Sequence, residues 1–250
     1  MTLPLPIILM VAAAGFLAGV QNALAGGGSF ITFPALLLAG LDPLAANMTS
    51  TIALFPSQLT SAYAGRQLVE GVGRVSFKTL TIISLIGGVL GALLLLNTSA
   101  SFFARLVPWL VLFATSVFAW GTFRKKPLHA ADHGMPSWVL MLAQSGIAIY
   151  GGYFGGGIGF LMLAALTIAG QQVRTAAATK NVLAAAMNAA AVLIFATSPQ
   201  VSWPAAFALC VGGIVGGLVG GWLIHRLPEK FMRRFVVLVG ATLTVWMFMR

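Results

Sequence analysis

The sequence is nearly devoid of acid. Asp42, Glu70, Asp132 and Glu229 are its four acidic residues among 250, and Lys and Arg contribute only 14 more charges. At 7% charged residues, against about 25% in a typical soluble domain, no water-facing surface can be assembled from it. All four carboxylates fall in or beside the connections between apolar runs. That excludes a carboxylate relay buried in a membrane, the usual device of a proton-driven carrier. Cysteine is also scarce. Cys210 stands alone in a Gly-rich apolar run, so it supports neither a disulfide framework nor a cysteine metal site and reads as a small buried hydrophobe. The three histidines, His129, His133 and His225, lie outside the apolar runs. His129 and His133 flank Asp132 at a spacing that can hold a metal on a helix, but a solvated linker with Pro and Gly is the better account. No metal site and no cofactor are expected. Neither a catalytic triad nor a P-loop pattern occurs, and the chain is not expected to be an enzyme.

Apolar sequence fills the space that charge leaves. Hydrophobic residues make up 59% of the chain and its mean hydropathy is +0.98. Runs of about 20 residues, the length a helix needs to cross a hydrocarbon core of roughly 30 Å, recur from end to end. The bilayer is therefore the solvent. A net charge of +10 would suggest nucleic acid in a soluble protein, but here the basic residues sit in short connections, where membrane orientation explains them. Nucleic acid is not an expected partner. The first apolar stretch ends in Ala23-Leu24-Ala25 before Gly26, which resembles a signal peptide with its small-residue cleavage site. It has no basic n-region, and the same arrangement of apolar run and glycine triplet returns mid-chain. A retained first helix is expected.

That return is part of a duplication. The segment AGGGSFITFPALLLAG from Ala25 to Gly40 resembles FGGGIGFLMLAALTIAG from Phe154 to Gly170, with Gly26 and Gly155 lying 129 residues apart. The same offset pairs Ile86–Ala92 with Val215–Gly221 and Phe102–Val107 with Phe231–Val236. Each half reads as five hydrophobic segments. In the first they span 4–24, 29–41, 44–64, 76–96 and 102–123; in the second, 138–154, 158–170, 175–197, 205–224 and 231–249. The second segment of each half, at about 13 residues, reaches only about 20 Å and is too short to span comfortably. The expected organisation is a first membrane repeat over 1–123, a cytoplasmic linker over 124–137 and a second membrane repeat over 138–250.

Orientation follows from the basic residues. An external N-terminus puts Arg66, Arg74, the Arg124–Lys126 run, Arg174 and the Arg226–Arg234 cluster inside, and leaves the uncharged connections 97–101 and 198–204 outside. This works when each half crosses an odd number of times, which inverts one half relative to the other. The fold expected is an all-α polytopic membrane protein of two inverted repeats, about five hydrophobic segments each, with short helices after the glycine triplets that can be re-entrant.

Two duplicated features point to a binding site. Each glycine in a helix costs about 1 kcal/mol relative to Ala, so Gly26, Gly27, Gly28 and Gly155, Gly156, Gly157 need a reason. One is that they unwind the chain at membrane depth and present backbone N–H groups to an anion at the start of a short helix; the other is close helix packing through small residues, which accounts for Gly87, Gly88, Gly91, Gly216, Gly217, Gly220 and Gly221. After each short segment comes a polar cluster: Asn47, Thr49, Ser50 and Thr51, matched by Thr179, Lys180 and Asn181. These residues either line a ligand site or make interhelical hydrogen bonds and caps. Lys180, about 9 Å deeper than Arg174 along its helix, either holds an anion's charge or snorkels to the cytoplasmic surface. With Ser29 beside the first triplet, these residues form the candidate substrate-binding set.

The glycine run opening a short apolar segment with Pro34, the Gly-x-x-Pro turn from Gly40 to Pro43 and the Thr49-Ser50 pair, in duplicate, resemble the sulfite exporter TauE/SafE family of membrane permeases over essentially the whole chain. The second half departs from the pattern, with Leu163 in place of the first Pro and Val173 in place of the turn Pro. The resemblance places the family's glycine motifs on Gly26–Gly28 and Gly155–Gly157, and its polar positions on Thr49, Ser50, Thr179 and Asn181. It implies export of a small anion, a sulfur oxyanion such as sulfite or thiosulfate or an organosulfonate, across the bacterial inner membrane. The mechanism expected is alternating access at a site between the repeats; the alternative is an anion-selective channel. The expected partners are the small anionic substrate and the lipid bilayer, with a homo-oligomer allowed.

Overall fold

The computed structural model describes residues 4–24, 27–123, 135–223 and 229–249. Among the described residues there are ten α-helices and no strand: α1 Leu5–Leu24, α2 Ser29–Leu38, α3 Pro43–Gly65, α4 Phe77–Leu96, α5 Ala100–Phe123, α6 Ser137–Tyr153, α7 Ile158–Ile168, α8 Val173–Phe195, α9 Trp203–Leu223 and α10 Glu229–Met249. Five carry stretches long and apolar enough to cross a bilayer, in α1, α4, α5, α8 and α9. Gly26, Arg226 and most of the expected linker, including Arg124–Lys126, His129, Asp132 and His133, lie outside the described residues.

The short helices are shorter than the apolar runs that contain them. α2 has 10 residues and α7 has 11, about half a hydrocarbon core at 1.5 Å per residue. The same device ends both. Gly40 (φ +90°) and Gly170 (φ +103°) adopt the left-handed conformation. Their N–H groups donate to Leu37 and Thr167, and the next residues, Leu41 and Gln171, donate back to Leu36 and Leu166. This is a Schellman closure, for which glycine is the favoured residue. The first half then caps the next helix: Asp42 accepts the N–H groups of Leu44 and Ala45 at 3.0 and 3.1 Å, with Pro43 in the first turn of α3. In the second half Gln172 makes no side-chain cap, in keeping with the loss of the Pro.

Packing interleaves the halves. α1 lies along α9 and α4 along α6, each pair running in one direction. Gly15 faces Leu209 and Gly19 faces Gly213, while Gly87 faces Ala148 and Gly91 faces Gly152. Small residues let these backbones touch, which matters because lipid supplies no hydrophobic drive for one helix to join another. α3 meets α8 head to tail: Thr49 near the start of α3 bonds Ser202 just beyond α8, and Gly65 at the end of α3 lies against Ala178 near the start of α8. The main core takes Phe33, Leu36, Met48 and Phe103 from the first half and Phe154, Phe195 and Leu209 from the second. Leu90, Leu94, Val211 and Leu218 point outward, exposed, as expected of faces solvated by lipid.

Candidate functional site

The second glycine break joins α6 to α7. Gly155 (φ +76°) and Gly157 (φ +78°) are left-handed, a conformation that costs an L-residue with a side chain roughly 1–2 kcal/mol. Tyr150, one turn back on α6, holds the break by donating its hydroxyl to the Gly156 carbonyl at 2.9 Å. Gly157 packs against Ala114 of α5, and a Cβ on it would come within 3.2 Å of the alanine methyl. In the first break Gly27 has φ +86°, and the Gly28 N–H donates to Asn22 Oδ1 at 2.8 Å. That N–H is therefore spoken for by the protein.

A narrow cleft, with free space of about 30 Å³, lies between the halves. The first half contributes Ser29, Phe30 and Phe33 from α2, then Asn47, Ser50, Thr51, Leu54 and Gln58 from α3, and Val111 from α5. The second contributes Phe154, Gly155 and Gly156 at the break, Asn188 from α8 and Leu243 from α10. The structure thus gathers six of the sequence-derived residues around one space: Ser29, Asn47, Ser50, Thr51, Gly155 and Gly156. Asn47 crosses the interface, donating its amide to the Tyr153 carbonyl at 2.9 Å. Ser50 pairs with Thr32 at 2.6 Å, and Thr51 donates to the Asn47 carbonyl at 2.9 Å. Phe154 stands edge-on to Phe33 with ring centroids 5.7 Å apart, joining the apolar walls of the two halves.

The other described candidates stand elsewhere. Thr49, fully buried, accepts the Ser202 N–H at 3.1 Å. Thr179, also fully buried, accepts from the Gln171 amide at 3.1 Å and meets the Glu70 backbone at 3.4 Å. Lys180 Nζ donates to Asn181 Oδ1 at 2.9 Å and lies against Gly159 at the start of α7. Thr49 and Thr179 lie 130 residues apart, and at that offset Gly159, Lys180 and Asn181 are the counterparts of Ser29, Ser50 and Thr51. The chain therefore carries this face twice. The neutral copy lines the cleft and the basic copy does not.

The sequence reading missed Gln58 and Asn188. They too lie 130 residues apart, and they meet at the centre of the α3–α8 contact, Asn188 Nδ2 donating to Gln58 Oε1 at 2.6 Å. The offset that pairs Thr49 with Thr179 would have found them. Among the described residues, the lining contains no charged side chain.

A family model described as sulfite exporter TauE/SafE matches residues 11–247. The chain is 28% identical over 251 residues to a probable membrane transporter protein of Haemophilus influenzae, covering 99% of this chain and 96% of that protein. It is 28% identical over 233 residues to the probable membrane transporter protein YfcA of Escherichia coli K12, covering 91% and 84% of the two chains. With the probable membrane transporter protein ORF9 of a Sinorhizobium species it shares 30% identity over 242 residues, covering 93% and 88%. No solved structure matches the chain. A match across nearly the whole length, on a bundle of apolar helices with a polar cleft between its halves, settles the class: the chain belongs to the sulfite exporter TauE/SafE family and is a multi-pass membrane permease.

Proposed function

We propose that this permease exports a small anion, a sulfur oxyanion or an organosulfonate, by alternating access at the cleft between two inverted repeats. The observation that carries the reading is the make-up of the cleft, in which Ser29, Asn47, Ser50 and Thr51 of one half face Gly155, Gly156 and Asn188 of the other. A site shared by two bodies can be opened to either side by rocking one against the other. The head-to-tail contact of α3 with α8 supports inversion, because a two-fold axis along the membrane normal would set these counterparts parallel.

Alternation gains support from an asymmetry between the halves. On α3, Thr60 and Ser61 are exposed, whereas their α8 counterparts Ala190 and Ala191 are buried; Tyr63 and its counterpart Leu193 are both exposed. Exchanging those two arrangements would bring Lys180 and Asn181 onto the cleft in place of Ser50 and Thr51, giving the basic face a role in the opposite state.

Counterflow tests the reading. Purified protein in liposomes preloaded with unlabelled sulfite should take up labelled sulfite faster than empty liposomes, with a rate that saturates. Flux that neither saturates nor responds to internal substrate would overturn the carrier and favour an anion-selective channel.

A further inference from the structure

We propose that this chain holds an anionic phospholipid of the surrounding membrane in a pocket at the entry to α6, with Arg74 taking the headgroup phosphate. The pocket is separate from the cleft, and the proposal does not depend on what the permease transports.

The turn before α4 (Val72, Arg74), the entry to α6 (Met135, Ser137, Leu140) and the end of α7 (Ala169) enclose about 430 Å³ of free space, within the range of small-molecule sites. The turn is firmly built. Val72 and Val75 exchange both backbone hydrogen bonds at 2.9 Å and bury their side chains, which leaves Arg74 exposed between them. The fold does not need an arginine there: at the offset of 129 the counterpart of Arg74 is Trp203.

The pocket lies at the membrane boundary. α4 and α6 run in one direction and both begin here, and α8 begins at the same end, where Thr179 meets the Glu70 backbone. The apolar spans Phe77–Leu96 and Val173–Phe195 start at this end, so the pocket opens where hydrocarbon gives way to headgroups. Trp138, beside it and 63% exposed, is a residue type that settles at that level. The orientation expected from the basic connections makes this the cytoplasmic end, whose leaflet carries anionic lipid.

The lining is amphipathic in the way a lipid is. Val72, Leu140 and Ala169 are buried and Met135 packs against them, giving an apolar floor. The polar groups stand at the rim. Among the described residues the side chains of Arg74 and Ser137 have no hydrogen bond or ion pair, and no acidic side chain lines the pocket. α6 also begins without a side-chain cap. A guanidinium matches the oxygens of a phosphate, and the floor takes the apolar part of the same molecule. A small soluble anion would leave that floor in water, and a zwitterionic headgroup would bring a cation toward Arg74.

Native mass spectrometry of the purified full-length protein tests the site. Phosphatidylglycerol should bind at least about fivefold more tightly than phosphatidylcholine of the same chain length, the worth of one basic side chain near an anionic headgroup. Arg74→Gln should abolish that preference. Lys78→Gln removes another exposed cation, in the first turn of α4 and outside the pocket lining, and should change phosphatidylglycerol binding by less than about twofold. Both residues are exposed, so neither variant should disturb the fold. Equal binding of the two lipids by the wild type would overturn the proposal, and so would a preference that survives Arg74→Gln. Equal losses in the two variants would also overturn it, leaving only the general field of a basic surface. Glycerol phosphate in excess should not displace the lipid; displacement would make this a site for soluble phosphate esters and the lipid assignment would fall.

Discussion

Thr49 Oγ1 accepts the backbone N–H of Ser202 at 3.1 Å, 153 residues away in sequence. Thr179 makes the matching contact with the Glu70 backbone in the connection after α3. Each half thus pins the polar start of its long helix to the loop of the other half. Replacing Thr49 with Val keeps the shape and orphans the part-buried Ser202 N–H, which costs about 1 kcal/mol. Thr49→Val should lower the melting temperature of the purified protein clearly. Thr179→Val should lower it as well, since it removes the acceptor of the Gln171 amide at 3.1 Å along with the 3.4 Å contacts to Glu70. Unchanged melting with a raised transport KM would show instead that Thr49 touches the substrate.

Adjacent glycines on α9 should behave oppositely. A Cβ on Gly216 would collide with the Phe16 carbonyl of α1, whereas one on Gly217 meets nothing within 4 Å. Gly216→Ala should prevent close packing of α1 on α9 and abolish the monodisperse peak in size-exclusion chromatography. Gly217→Ala should be tolerated, and gains up to about 1 kcal/mol of helix propensity.

The helices were legible because apolar runs punctuated by glycine and proline have few other physical readings. The run expected over 76–96 is α4 at Phe77–Leu96, and that expected over 44–64 is α3 at Pro43–Gly65. The short segments overran at their C-terminal ends, because hydropathy continues through Ala39 and Gly40 while the backbone has already turned at the left-handed glycine. Half of the cleft was legible through duplication, which singled out Gly155, Gly156 and the α3 cluster. Gln58 and Asn188 escaped because a lone amide inside an apolar helix looks like any interhelical hydrogen bond until its partner is known. Phe30 and Phe154 escaped because aromatics are ordinary membrane content. Sequence also could not separate Thr49 from its neighbours Ser50 and Thr51, since only helix rotation decides which of three consecutive residues faces the cleft.

Tyr150→Phe tests the break between α6 and α7. It removes one hydroxyl, the donor to Gly156 at 2.9 Å, and leaves the ring packed on Phe113 and Phe154. One neutral hydrogen bond is worth about 1 kcal/mol, so the break should loosen without unfolding the protein. Transport kcat/KM should fall about fivefold while the circular dichroism spectrum stays the same. An unaltered rate would mean that Gly155 and Gly157 hold their conformation without the tether.

Asp42 has a local role that accounts for its carboxylate. It caps α3 through Leu44 and Ala45, and Asn caps about as well as Asp. Asp42→Ala should lose about 1 kcal/mol of stability, and Asp42→Asn should restore most of it with transport intact. A transport defect in Asp42→Asn at normal stability would give the carboxylate a part in coupling.

The scarcity of acid bears on what can drive transport. Asp42 is a cap and Glu70 lies exposed after α3, while Asp132 and Glu229 fall in or beside connections in the sequence. Among the described residues no carboxylate lines the cleft, so a monoanion carried as proposed would cross with its own charge as the handle. A potential of 100 mV acts on one charge with about 2.3 kcal/mol, equivalent to a gradient of about fiftyfold at 1.4 kcal/mol per decade. In liposomes made negative inside by a potassium diffusion potential, with no pH gradient, efflux of a transported monoanion should accelerate, and its distribution should approach that ratio. Efflux that ignores the voltage and follows an imposed pH gradient would mean that a proton travels by a route these residues do not provide.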